Sequence, residues 1–143
     1  MSVFDLKTPR DMLDKAKREH ARLVADFHMD HVFNFFITVN HVRDYVEKTG
    51  EVPQKALDDL YTESVMKDCR DICDKAKHFT LTKRPDLLTN KWNGALGEAP
   101  LNVMPLAGEG EWQLWRGDRV ISIGSLAVQA LARWSQFFED NGL

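Results

Sequence analysis

The sequence predicts a mainly α-helical protein, a helical bundle with a small β-hairpin insertion before the C-terminal helix. Three observations carry that reading. Residues 10–49 contain no glycine or proline, and their apolar side chains recur at helical spacing. Residues 54–79 carry a second stripe of the same kind. From Pro85 the character changes: Pro85, Gly94, Gly97, Pro100, Pro105, Gly108, Gly110 and Gly117 punctuate short apolar pieces. The 143 residues fit one domain, residues 1–143, with a β-rich insertion at about 83–123.

The first helix has a clear start. Thr8 can cap, Pro9 suits the first helical position, and Asp11 can return a bond to the cap. Run as one straight rod, residues 10–49 would extend roughly 60 Å. A compact domain of this size has a radius of gyration of about 14–15 Å. Either the segment breaks, near Asp26–Asp30, or it projects and packs against a second copy; a kinked or broken pair is the favoured expectation, and Gly50 with Pro53 closes the segment.

Residues 54–79 read as one helix, with Leu57, Leu60, Tyr61, Val65, Cys69, Ile72, Cys73, Ala76 and Phe79 facing the core. Arg70, Asp71, Asp74, Lys75 and His78 fall off that stripe, which predicts a solvated face. Cys69 and Cys73 are expected as buried, reduced thiols. Residues 101–106 could form a strand. Residues 111–115 and 119–123 predict a hairpin closed across Arg116-Gly117-Asp118. Ser125 is the expected cap of a final helix from Leu126 to about Asp140, with Leu126, Val128, Leu131, Trp134, Phe137 and Phe138 inward.

Composition narrows the function. A hydrophobic share of 43% and a charged share of 29% describe an ordinary globular chain. A formal net charge of −3 supplies no global field for nucleic acid. No apolar run approaches the ~20 residues that span a bilayer, and the first residues lack a signal peptide's apolar stretch, so no membrane partner and a cytoplasmic location are expected.

The second quarter holds the richest chemistry. His31, Asn34, Thr38, His41 and Tyr45 are spaced three, four, three and four residues apart, which stacks them on one helical face. Phe33 and Ile37 flank them on one side, Phe35, Val42 and Val46 on the other. In so apolar a helix the line is expected to be sequestered and jointly hydrogen-bonded, since an unpartnered buried polar group costs a few kcal/mol. Two uses remain open: a polar seam that sets helix register, or a ligand-binding pocket.

No metal and no cofactor is called for. His28 and His31, with Asp26 and Asp30 nearby, make too small a ligand set. Glu-x-x-His pairs, His-Glu-x-x-His, a phosphate-binding glycine loop and Gly-x-Ser-x-Gly are all absent.

The second constellation is Cys69-Arg70-Asp71-Ile72-Cys73-Asp74-Lys75-Ala76-Lys77-His78. Asp71 and Asp74 lie within a turn or two of His78, and a carboxylate-oriented histidine can work in acid–base catalysis. The same residues also read as a solvated helix end, its basic residues near the last carbonyls.

The runs Phe33-Asn34-Phe35-Phe36-Ile37-Thr38-Val39-Asn40-His41-Val42-Arg43-Asp44-Tyr45 and Asp71-Ile72-Cys73-Asp74-Lys75-Ala76-Lys77-His78-Phe79 resemble a group of uncharacterised bacterial and phage proteins. Their arrangement is loosely similar to HEPN domains, the helical bundles of toxin and antiviral ribonucleases. The resemblance covers residues 27–79. It implies a HEPN-like bundle, a homodimer, RNA as partner and metal-independent endoribonuclease chemistry in a defence or toxin system. Arg70 would then stabilise phosphate charge and His78 would act as acid or base, oriented by Asp74 or Asp71. His41, Asn34 and Thr38 would line the adjacent pocket. Seven residues separate Arg70 from His78, where HEPN ribonucleases carry four to six between the two. The alternative is a non-enzymatic oligomeric interaction module whose buried polar helix seam specifies pairing.

Overall fold

The computed structural model describes residues 4–78, 88–92, 111–116 and 118–143. Its first helix, α1 (Pro9–Ala25), opens with the predicted capping box. The Asp11 amide donates to Thr8 Oγ1 at 3.1 Å, and Asp11 Oδ2 accepts from the Thr8 and Lys7 amides at 2.9 Å each. Those amides hold the Asp11 carboxyl below its ordinary range.

Of the two arrangements the length allows, the chain takes the break. Asp26 and His28 are extended, and α2 (Met29–Thr49) restarts with His28 Nδ1 accepting from the Asp30 amide at 3.1 Å. Gly50, at φ +65°, ends α2 in the left-handed conformation that favours glycine.

The single helix predicted over 54–79 is instead two, α3 (Gln54–Leu60) and α4 (Ser64–His78). At the joint the Thr62 and Glu63 amides donate to the carbonyls three residues back, and the Thr62 hydroxyl donates to the Asp59 carbonyl at 2.6 Å. Those bonds tighten and end α3. Leu57, Leu60 and Tyr61 before the joint, and Cys69, Ile72 and Cys73 after it, are all buried. The apolar period therefore runs through the interruption and conceals it.

Three strands form one antiparallel sheet in the order β1 (Leu88–Trp92), β2 (Glu111–Arg116) and β3 (Arg119–Ser122). The predicted β2–β3 hairpin is present, with Arg116 in the strand opposite Arg119 rather than in the turn. The candidate strand at 101–106 lies outside the described residues. The last helix, α5 (Ile123–Asn141), follows β3 without a linker. Its cap is therefore Ser122 rather than Ser125: Ser122 Oγ accepts from the Ser125 amide at 3.1 Å.

The helices enclose a core centred on Leu13, Phe35, Phe36, Leu57, Met66, Leu114 and Trp134, each at most 1% exposed. Trp134 meets the rings of Tyr61, Phe137 and Phe138 edge-on. Val128, expected inward, is exposed, and Val65 and Ala76 are half-buried. Cys69 and Cys73 are buried free thiols, as expected. Burial raises both thiols, Cys73 to about 11 and Cys69 further. Among the described residues no helix is long and apolar enough to cross a membrane.

Candidate functional site: a groove on α2 and an ion-pair chain on α4

The outer face of α2 forms one wall of a groove of about 510 Å³. Phe4 and Leu6 of the N-terminal segment and Met12 and Lys15 of α1 face Phe33, Asn34, Ile37, Thr38, His41, Asp44, Tyr45 and Lys48 of α2. Four of the five polar residues expected on one line, Asn34, Thr38, His41 and Tyr45, therefore share one groove. His31 stands outside it, near the α1–α2 break, with Nε2 at 3.7 Å from Asp26. His31 Nδ1 is buried and has no hydrogen-bond partner among the described residues.

The joint sequestration expected of that line is not found. Thr38 is buried, His31 and Tyr45 are half-buried, and Asn34 and His41 are exposed. On this face α2 is tied to α1 and to the N-terminal segment at two points. Lys15 reaches over Thr38, donating to its Oγ1 and to Glu19 Oε1 at 3.0 Å each, while Thr38 Oγ1 donates to the Asn34 carbonyl at 2.7 Å. Two turns on, the Tyr45 hydroxyl donates to the Leu6 carbonyl at 3.1 Å and pins the N-terminal segment against α2. Between these two ties the groove stays open.

Glu19 anchors this arrangement, and sequence reasoning missed it. It is only 6% exposed and also takes Arg22 Nη1 at 2.9 Å. Burial by itself would raise its carboxyl. The Lys15 hydrogen bond and charge, with Arg22, outweigh that and hold it below the ordinary range. An ionisable residue on a stripe of small and apolar positions (Met12, Ala16, Leu23) was the available signal.

On α4, Asp71 was expected on a solvated face but is fully buried, and so is Asp68 one turn earlier. The hairpin supplies the reason. Arg116 Nη1 donates to Asp68 Oδ1 at 2.8 Å, Arg116 Nη2 donates to Asp71 Oδ2, and Arg119 Nη2 donates to Asp68 Oδ1 at 3.0 Å. Arg70 pairs with Asp71 Oδ1 at 3.0 Å. Burial raises the Asp68 carboxyl against the opposing pull of Arg119 and Arg116. The signal in the sequence was two aspartates one turn apart, and two arginines three positions apart that become cross-strand partners in the hairpin.

The structure therefore brings Arg70 and Asp71 together, in a chain of ion pairs. Asp74 is half-buried one turn beyond Asp71. His78 is the last residue of α4, and its side chain lies outside the described part. No α4 residue lines the α2 groove, so the two constellations are separate places on the molecule.

Fold and site together define a small, mainly helical protein with an open groove along one helix. The chain matches no protein-family model, no curated protein and no solved structure.

Proposed function

We propose that this protein is an interaction module that pairs with a second copy of itself through the groove face of α2. One observation carries the reading: α2 leaves a continuous stripe uncovered, apolar at its start and charged at its end. Phe33 is 41% exposed and Ile37 half-buried, and His41, Asp44 and Lys48 continue the same line.

That stripe is complementary to itself when reversed. A two-fold axis beside His41 would set Ile37 against Tyr45 of the other copy and Asn34 against its Lys48, with Phe33 next to that pair. His41 would face its own counterpart, one turn from the other copy's Asp44. Such a contact is isologous, the commonest geometry of small homo-oligomers. Lysine over a phenylalanine face adds a cation–π attraction. The polar residues fix register, as a polar position in a helix seam does.

The endoribonuclease reading draws its support from the motif resemblance alone. Its α4 residues Arg70, Asp71 and Asp74 do not line the groove that holds Asn34, Thr38 and His41, so the pocket and the acid–base residues are not brought together. Pairing is therefore preferred. RNA cleavage that survives a chelator and vanishes in His78→Ala would reverse that preference.

Light scattering on the full chain tests the pairing. The expected mass at roughly 100 µM is twice that of one chain. Phe33→Asp should halve it while leaving the helical circular dichroism unchanged, because Phe33 is already part-exposed. A single-chain mass for the unsubstituted protein at that concentration rejects the reading.

A further inference from the structure

We infer that the arginines gathered on the two buried aspartates of α4 form a binding site for a phosphate group. Arg119, Asp68, Arg116, Asp71 and Arg70 alternate in one chain of contacts. Arg116 and Arg119 share the same oxygen, Asp68 Oδ1, at 2.8 and 3.0 Å. Arg116 and Arg70 occupy the two oxygens of Asp71. Three guanidinium groups are thereby held around two carboxylates. The carboxylates are fully buried, and the side chains of Arg70, Arg116 and Arg119 are 29%, 28% and 42% exposed. The anions form the floor and the cations face solvent.

Donors remain for a ligand. Arg119 uses only Nη2, leaving Nε and Nη1 without a partner among the described residues, and Arg70 leaves Nη1. The planar fork of a guanidinium matches two oxygens of a phosphate. The buried aspartates fix the forks in advance, so little side-chain freedom is lost when an anion arrives. Lys67, exposed on α4 one turn before Arg70, adds positive charge. Asp118, exposed in the hairpin turn beside Arg119, opposes it and favours a compact anion over an extended negative surface. The site is independent of the α2 groove.

The test titrates the full chain with two probes, inorganic phosphate and a short single-stranded RNA without terminal phosphates, at low salt. Heat of binding is the readout. Phosphate alone bound identifies a free-phosphate site, and RNA displaced competitively by phosphate identifies a backbone-phosphate site. Both outcomes support the inference.

Arg119→Gln should weaken binding at least tenfold, because it removes the most exposed fork while Arg116 still holds Asp68. Its melting temperature confirms the fold. Lys48→Gln, in the α2 groove, should bind like the unsubstituted chain, and Phe33→Asp should do so as well whatever its oligomeric state. No heat with either probe, or Arg119→Gln binding undiminished, overturns the site and leaves the cluster as an internal clamp.

Discussion

Arg116 of β2 and Asp68 of α4 lie 48 residues apart in sequence, and their side chains meet at 2.8 Å. With the Arg116–Asp71 and Arg119–Asp68 bonds, this contact fastens the hairpin to the bundle by charge where an apolar contact would be the simpler solution. Removing one partner of a buried pair costs more than the pair contributes, because the other partner is left uncompensated. Asp68→Ala leaves Arg119 without its carboxylate and Arg116 with Asp71 alone. We expect a loss of about 2–3 kcal/mol, read as a lower urea midpoint at unchanged slope. Asp68→Asn keeps an accepting oxygen and removes a buried charge, so it should lose clearly less. Equal losses would show that the aspartate charge, and not its acceptor geometry, is what holds the arginines.

How much of this was legible can be traced residue by residue. The Thr8–Pro9–Asp11 start, the break after Ala25 and the β2–β3 hairpin depend on near neighbours in sequence, and each is found, with Arg116 in the strand rather than in the turn. The α3–α4 joint was hidden because apolar spacing runs through it. The burial of Asp68 and Asp71 was hidden for a different reason. Their partners lie on a hairpin more than forty residues away, and helical periodicity reports one face only as apolar or polar. Of the groove, the line Asn34–Thr38–His41–Tyr45 was visible as spacing. Its exposure was not, because that depends on which side chains of α1 and the N-terminal segment reach across it.

The Glu19 carboxyl gives a pH signature. Its folded pKa lies below its ordinary value of 4.5, so the unfolded chain binds its proton more readily. The stability it contributes is therefore complete above that ordinary value and is lost as pH falls through the lower, folded one. Asp68, raised by burial, works in the opposite sense: its contribution is full below the ordinary 3.8 and declines as pH rises through the folded value. Glu19→Gln should lower stability at pH 7 and flatten its decline below about pH 4.5. Urea midpoints from pH 3 to pH 7 check this. An acid decline of unaltered steepness in the variant would exclude Glu19 as a contributor.

Trp134 is fully buried among Tyr61, Phe137 and Phe138, and its Nε1 has no hydrogen-bond partner among the described residues. Its role is then volume and ring contact. Trp134→Ala should cost about 3–5 kcal/mol through the cavity it leaves. Trp134→Phe keeps a ring and deletes the unpartnered donor, so it should retain most of that stability. If the two substitutions cost the same, the indole N–H has a partner in the folded protein.

The start of α5 separates two serines that spacing alone cannot rank. Ser122 Oγ accepts from the Ser125 amide at 3.1 Å, satisfying a helix-terminal donor that has no carbonyl to reach. Ser125 Oγ instead accepts from Gln129 Nε2 at 3.0 Å on an exposed surface. An exposed bond between side chains one turn apart contributes only a few tenths of a kcal/mol. Ser122→Ala should therefore cost about 1 kcal/mol, and Ser125→Ala well under half of that. For a chain of this length that is a drop in melting temperature of roughly 3–5 °C against about 1 °C. Because β3 runs directly into α5, the Ser122 loss should also loosen the hairpin. Amide exchange at residues 119–121 should rise in Ser122→Ala and stay unchanged in Ser125→Ala. The reverse ranking would return the cap to Ser125 and shorten α5 by a turn.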